Sequence, residues 1–138
     1  MPVLDYPISK EVWLQEVSAR NGAPVAGEGR PLPEAGAWEP AVQKIIGFQH
    51  LGDDWDGLGA KAPSRELLES AIGLAYVLSE KGTEPPSRVV PGLDGTVIFE
   101  WQFKDGTYGE IEIERPFYAE VMMIPPGQPA KHWTLPTT

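Results

Sequence analysis

The chain has 138 residues, with 20 acidic against 11 basic side chains and a formal net charge of −9. This charge disfavours binding to another polyanion, so nucleic-acid binding is not expected. The sequence contains no cysteine, which excludes disulfides, thiol nucleophiles and cysteine-ligated zinc.

The N-terminal part is predicted to be an arm separate from the main domain. Residues 8–20 form an amphipathic pattern within the arm 1–22, and residues 23–37 are rich in Gly, Pro and Ala, as in a flexible linker. The stripe of the pattern consists of Ile8, Val12, Trp13 and Val17. Such a helix could bind a groove on a partner, with Trp13, Val12 and Val17 in contact, or it could fold back on its own domain or pack on a second copy.

We expect neither a targeting signal nor a membrane-spanning segment in this sequence. The start, MPVLDYPIS, combines neither a basic region nor an apolar core, and no apolar run approaches membrane length. A soluble cytoplasmic protein with no membrane partner is therefore expected.

Two further helices are predicted in the main domain. The first covers about 39–51, where Pro40 suits the first turn and Val42, Ile45 and Ile46 form an inner face. The second runs from Ser64 to about residue 81 and carries a broad apolar stripe. Ser64 is a good N-cap, and Gly82 is a good residue to end the helix.

From residue 88 onward the apolar period changes to two, which predicts strands. Residues 96–103 and 107–114 alternate apolar and polar side chains. A three-residue loop, 104–106, with Gly106 in the left-handed conformation keeps the apolar faces together. The resulting register sets Phe99 opposite Ile111, Trp101 over Gly109, and Glu100 opposite Glu110.

A third strand is predicted at 117–124, and shorter ones are possible at 88–91 and 131–135. The fold class is therefore α+β: a two-layer domain, residues 38–138, with two helices packed on a three- to five-stranded antiparallel meander. The helical N-terminal arm is additional to this domain.

Residues 51–64, LGDDWDGLGAKAPS, invite comparison with a calcium-binding loop. If Gly57 is the turn glycine, the two ends of the calcium pattern fall on Gly52 and Pro63, so both ends fail. The favoured interpretation is a joint between helices, in which glycines allow positive φ, aspartates bind local amides and Trp55 anchors the joint in the core. Its motif residues are Trp55, Asp56, Gly57 and Gly59. The alternative is a looser metal site formed by His50, Asp53, Asp54 and Asp56.

The second candidate site is an acidic face of the predicted sheet. Glu100 lies opposite Glu110 in the register above, with Glu112 and Glu120 nearby, and like charges opposite one another destabilise a sheet. Three interpretations stay open: a paired-carboxylate hydrolase site, a docking surface for a basic partner, or a solvated sheet face. Nucleophile elbows, phosphate-binding glycine loops and H-E-x-x-H motifs do not occur in the sequence.

The sequence resembles a group of small uncharacterised bacterial proteins. Their pattern is similar to W-D-G-x-G-A-x-x-P-S, then P-x-x-D-G-x-(I/V)-x-(F/L)-E-W, then E-I-E-I, which this chain matches from Trp55 to Ser64, from Pro91 to Trp101 and from Glu110 to Ile113. The resemblance covers about residues 42–124 and implies a bacterial source and these domain boundaries, with no activity attached.

The sequence thus predicts a non-catalytic, acidic accessory subunit, inhibitor- or antitoxin-like, that binds another protein with a basic surface. The docking residues would be Glu100, Glu110, Glu112 and Glu120, together with the arm. No cofactor is expected, and a homo-oligomer formed through exposed strand edges is possible. A small metal-assisted hydrolase that uses the clustered Asp and Glu residues is the alternative.

Overall fold

The computed structural model describes residues 36–80 and 82–135. The predicted arm, including Trp13, Val12 and Val17, and most of the linker lie outside the described residues. The helices are α1 (Glu39–Gly47), a 3₁₀ turn (Phe48–His50) and α2 (Arg65–Glu80), and the strands are β1 (Arg88–Pro91), β2 (Val97–Gln102), β3 (Tyr108–Arg115), β4 (Tyr118–Ile124) and β5 (Lys131–Leu135).

The predicted α+β fold is confirmed. The five strands form one antiparallel sheet in the order β1-β2-β3-β4-β5, and α1 and α2 pack on one of its faces. Both strands that the sequence only allowed, β1 and β5, are present and form the two edges. Within the described residues, neither helix is long and apolar enough to cross a membrane.

Both ends of α2 have the capping residues that the sequence predicted. Ser64 Oγ accepts a hydrogen bond from the Leu67 N–H at 3.1 Å, as an N-cap does. At the other end Gly82 has a φ of +79°. The N–H groups of Gly82 and Thr83 donate to the carbonyls of Ser79 and Leu78, at 3.1 and 3.0 Å. This is the paired hydrogen-bond pattern of a glycine-terminated helix.

The first helix is shorter than predicted. The α-helical part ends at Gly47, and the Leu51 N–H donates to Phe48 O at 3.0 Å, so the last turn tightens into a 3₁₀ turn. The expected place of Ile46 on the inner face is wrong, because its side chain is 37% exposed while Val42 and Ile45 are buried.

The β2–β3 register is the predicted one. Phe99 pairs with Ile111, Glu100 with Glu110, and Trp101 with Gly109. The Phe103 N–H donates to Thr107 O at 2.9 Å and closes the three-residue loop. Gly106, at a φ of +93°, takes the left-handed position in that loop. Side-chain parity therefore determined the turn length correctly.

Three aromatic rings form the centre of the core. Trp38, Phe99 and Trp101 are buried and contact one another edge-on, with ring centroids 6.2 to 6.4 Å apart. The Trp38 Nε1–H donates to Thr83 O at 2.9 Å, and the Trp101 Nε1–H donates to Glu84 O at 2.8 Å. These two bonds join the start of α1 and the strand β2 to the segment that follows α2.

The expectation that Trp55 anchors in the core is wrong. Its ring is only partly buried and lies outside the core cluster. The Trp55 Nε1–H donates to Lys61 O at 3.1 Å, so the indole is held across its own loop rather than directed inward. Trp38 occupies the core instead, and it links distant parts of the chain.

Candidate functional site

The sheet face opposite the helices carries a row of glutamates. Strand alternation directs the odd-numbered residues of β2, and of β3 as far as Ile113, into the core. The even-numbered ones point outward, and all of them except the exposed Gln102 are partly exposed. We call the outward glutamates and their apolar neighbours the acidic face. It consists of Glu100, Glu110, Glu112, Glu114 and Glu120, with Ile98, Tyr108, Tyr118, Met122 and Ile124 between them.

Glu100 forms an ion pair within the protein. Arg88, its cross-strand neighbour on β1, donates from Nε to Glu100 Oε1 at 2.6 Å. This hydrogen bond, with the attraction between the two charges, raises the pKa of Arg88 above its ordinary value. The negative charge of Glu100 is therefore largely compensated within the protein.

Glu110 has a neutral donor. The Tyr108 hydroxyl donates to Glu110 Oε1 at 3.0 Å. Burial of the phenol, followed by this hydrogen bond and the nearby negative charges, raises the pKa of Tyr108, which keeps it protonated and able to donate. The pair Glu100 and Glu110, opposite each other as predicted, is thus stabilised on both sides.

Glu112 faces a second carboxylate. It lies directly opposite Glu120 in the β3–β4 register. On its other side Thr96 Oγ1 donates to Glu112 Oε2 at 2.8 Å. A Cβ at Gly92 would overlap Thr96 Oγ1, so a glycine is needed there to leave room for this hydroxyl.

Glu114 completes the crowded end of the acidic face. A hydrogen bond with Glu120, then burial, then repulsion by Glu120 and Glu112 raise the pKa of Glu114 to about 7. Arg115 acts in the opposite direction and lowers that pKa. Its guanidinium lies 3.9 Å from the centre of the Tyr118 ring.

The centre of the candidate site therefore lies further along β3 than the sequence predicted. The sequence emphasised Glu100 and Glu110, whereas the least compensated carboxylates are Glu112, Glu114 and Glu120. Glu114 was missed as a site residue, although it has the same parity as Glu110 and Glu112. What the sequence did not reveal is the register shift between Ile113 and Arg115, where the ladder becomes irregular beside Glu114.

The aspartates of the 51–64 loop bind the loop itself. Asp54 Oδ1 accepts the Gly59 N–H at 2.7 Å, and Asp53 Oδ1 accepts the Ala62 N–H at 3.1 Å. Asp56 Oδ1 accepts the N–H groups of Leu58 and Ala60, at 2.9 and 3.0 Å. These two bonds lower the pKa of Asp56.

The backbone of the same loop requires unusual conformations. Gly57 and Gly59 have φ values of +76° and +92°, and Asp54 adopts a φ of +64°. His50 is exposed at the end of the 3₁₀ turn that precedes the loop. Within residues 36–80 and 82–135, His, Asp and Glu side chains form no group of three or more that could hold a metal ion.

The described residues form a groove and a second cavity on the helical side of the domain. A groove of about 690 Å³ runs between α1 and β1, and its wall includes Lys44, Phe48, Trp55, Pro85 and Arg88. A second cavity of about 510 Å³ lies between α1 and α2, beside Ile46 and Ile72. Neither of these two cavities includes a glutamate of the acidic face.

Comparison with family models, with curated proteins and with solved structures finds no match for this chain.

Proposed function

We propose that this protein is a non-catalytic accessory subunit that binds a basic surface of another protein through the acidic face. The observation that carries the proposal is the placement of Glu112 opposite Glu120, beside Glu114, on the sheet face that α1 and α2 leave open.

Electrostatics supports a cationic partner. Like charges opposite each other on a sheet are unfavourable, and here two glutamates face each other with a third beside them. An arginine or lysine of a partner placed between them would convert repulsion into two favourable charge pairs. The free protein therefore bears a cost that complex formation removes.

The apolar neighbours give the acidic face a second property of a docking surface. Ile98, Tyr118, Met122 and Ile124 are partly exposed between the glutamates. Interfaces combine aromatic and methionine contacts with charges that determine orientation. The best-fitting partner surface therefore alternates basic and aliphatic side chains.

Catalysis is the weaker alternative on geometric grounds. A carboxyl pair with one raised pKa is the arrangement that acid–base hydrolysis uses. Such chemistry also needs a concave site that holds a substrate and limits water. Glu114 and Glu120 lie on an open sheet face instead, and Glu120 is exposed.

The proposal is tested with a probe that has the expected partner chemistry, a synthetic peptide of alternating arginine and leucine. Calorimetric titration compares the wild type with a Glu112→Gln, Glu120→Gln double variant. We expect the double variant to bind about tenfold more weakly, with the difference shrinking as salt is added.

A matched control distinguishes binding at the acidic face from a general effect of the protein's net charge. Glu66→Gln, Glu69→Gln removes the same number of charges from α2, on the other layer of the domain. The control should bind the peptide nearly as well as the wild type. Equal loss in both double variants would mean that the peptide senses only the overall charge, and the acidic face would lose its assigned role.

A further inference from the structure

Strand β1 lies at one edge of the sheet, with β2 as its only neighbouring strand within the described residues. The Gly92 N–H donates to Thr96 O at 2.9 Å, in line with the β1–β2 register. Because hydrogen-bonded pairs alternate with non-bonded pairs in an antiparallel ladder, Val90 bonds to β2 as Gly92 does. The Val89 N–H and C=O and the Pro91 C=O therefore point away from β2, toward the open edge.

The chain itself adds backbone to this edge just beyond β1. The Lys61 N–H donates to Leu93 O at 2.8 Å, and Lys61 forms an isolated parallel bridge with Asp94. Leu93 has the same parity as Val89 and Pro91, so this bond agrees with the outward direction of their carbonyls. Along β1 itself, the part of the chain that the structure describes places no strand beside Val89 and Pro91.

The groove of about 690 Å³ runs beside this open edge. All four residues of β1 line it, and the opposite wall includes Ala41 and Lys44 of α1 and Phe48 of the 3₁₀ turn. Trp55 also lines the groove, with its ring partly buried and its Nε1–H held by Lys61 O at 3.1 Å. An aromatic ring that is already fixed in place loses little further freedom when a ligand packs on it.

The groove differs in charge from the molecule as a whole. The chain has 20 acidic against 11 basic side chains, yet the described residues of the groove include Lys44 and Arg88 and no carboxylate. Arg88 binds Glu100 at 2.6 Å, whereas Lys44 is exposed on the wall. Complementary charge selects binding partners. A segment that enters the groove should therefore bring an acidic side chain to Lys44.

We propose that the groove binds an extended acidic segment of another protein, which adds to the sheet as a sixth strand beside β1. Main-chain hydrogen bonds to Val89 and to Pro91 O supply the pairing, and side chains of the segment fill the groove. Pro91 has no N–H, so these two residues offer the segment one donor and two acceptors. The inference goes beyond the proposed function and is independent of it, because no glutamate of the acidic face lines the groove.

The spacing of the groove residues defines the segment more closely. Lys44 and Phe48 are four residues apart, which corresponds to about 6 Å along a helix. Side chains on one face of a strand repeat at every second residue, about 6.6 Å apart. A segment that carries an acidic side chain two positions from an aliphatic one therefore matches the separation of Lys44 and Phe48.

Nuclear magnetic resonance titration of the full chain with the capped peptide Thr-Val-Thr-Glu-Thr-Val-Thr tests the proposal. We expect the largest shifts at the amides of Val89 and Val90 and at the Trp55 indole, and about tenfold slower hydrogen exchange of the Val89 amide at saturation. A control peptide with lysine in place of glutamate should bind at least about fivefold more weakly, as measured at the same signals. Unchanged Val89 and Val90 signals at millimolar peptide would overturn the proposal, and so would equal binding of the two peptides at these signals.

A pair of protein variants tests the charge contact. Lys44→Gln should weaken binding of the glutamate peptide about two- to fivefold, as expected for a solvent-exposed ion pair. Lys104→Gln removes the same charge from the β2–β3 loop, outside the groove, and should leave the affinity nearly unchanged. Equal losses in the two variants would show that the peptide senses only net charge, which contradicts the proposal.

Methylation of the peptide backbone tests the strand addition itself. In a strand, the N–H groups of alternate residues point to opposite sides, so only one alternate set faces β1. Two peptides are compared, each N-methylated on one of the two sets. One of them should lose binding and the other should retain it. Equal effects of the two methylation patterns would exclude pairing with β1.

Discussion

Glu112 on β3 and Glu120 on β4 lie directly opposite each other on the open face of the sheet, and Glu114 adds a third carboxyl beside them. Elsewhere on the acidic face, Arg88 compensates Glu100 and Tyr108 donates to Glu110. At this crowded end of β3, replacement of a glutamate by glutamine should therefore raise the free energy of unfolding and at the same time weaken binding of a basic partner.

Removal of one charge from this cluster should stabilise the free protein. Glu120→Gln eliminates the repulsion of Glu112, and we expect the free energy of unfolding at pH 8 to rise by about 0.2–1 kcal/mol. Urea denaturation measures the change. Glu66→Gln on α2 is the comparison and should give no gain. A destabilised Glu120→Gln protein would show that the two carboxylates do not repel each other in the folded state.

The stability of the protein should depend on the protonation of Glu114. Its pKa rises from an ordinary 4.5 to about 7 on folding, so the folded state binds this proton more tightly. The contribution is fully present below about pH 4.5 and is lost as the pH rises through about 7. Denaturation at several pH values should show this decline, and Glu114→Gln should make the profile flatter between those limits.

Groups that do not contact Glu114 contribute alike to both profiles. The lowered pKa of Asp56 acts in the opposite direction and only near or below its ordinary value of 3.8. Glu112, Glu120 and Arg115 surround Glu114, so the difference between the two profiles reports Glu114 together with these contacts. Parallel profiles for the wild type and Glu114→Gln would therefore exclude a raised pKa at this position.

In the 51–64 loop, glycines at positions with a positive φ should contribute to the stability of the protein. Gly59, at a φ of +92°, has no neighbouring atom within 4 Å of the position that a Cβ would occupy, so only backbone strain opposes Gly59→Ala. We expect a loss of about 1–2 kcal/mol in the free energy of unfolding. Gly52 also has open space around it, with no positive φ. Gly52→Ala should therefore be close to neutral, and equal effects of the two substitutions would contradict the assignment.

Trp38, just before α1, and Trp55, in the 51–64 loop, should differ in their contributions to the free energy of unfolding. Trp38 is 3% exposed and contacts Phe99 and Trp101, so Trp38→Ala should cost about 3–5 kcal/mol. Trp55 lies outside the core cluster, and Trp55→Ala should cost clearly less. Thermal or urea denaturation of the two variants measures the loss of stability in each. A larger loss for Trp55→Ala than for Trp38→Ala would contradict the prediction.

Local rules predicted the elements and much of the sheet from the sequence. Period-two alternation and side-chain parity determined the β2–β3 register, because a shift by one residue would expose Phe99 and Trp101. Capping chemistry identified Ser64 as the N-cap of α2 and Gly82 as the glycine that terminates it. These features depend on neighbours that are close in the chain, which is why a single sequence reveals them.

Features that depend on distant residues could not be predicted in the same way. Trp38 and Trp55 are similar as sequence signals, and only tertiary contacts, such as the burial of Trp38 and its bond to Thr83, identify which one joins the core. The shift of the acidic centre toward Glu114 depends on the irregular β3–β4 pairing and on where Arg88 lies. Both are consequences of tertiary packing.

Nuclear magnetic resonance titration of the protein with the alternating arginine–leucine peptide locates the residues through which a basic partner docks. We expect the largest amide shifts at the outward residues of β3 and β4, around Glu112, Glu114 and Glu120, and we expect these shifts to weaken with added salt. Shifts concentrated instead in the groove between α1 and β1, near Lys44 and Phe48, would contradict docking through the acidic face.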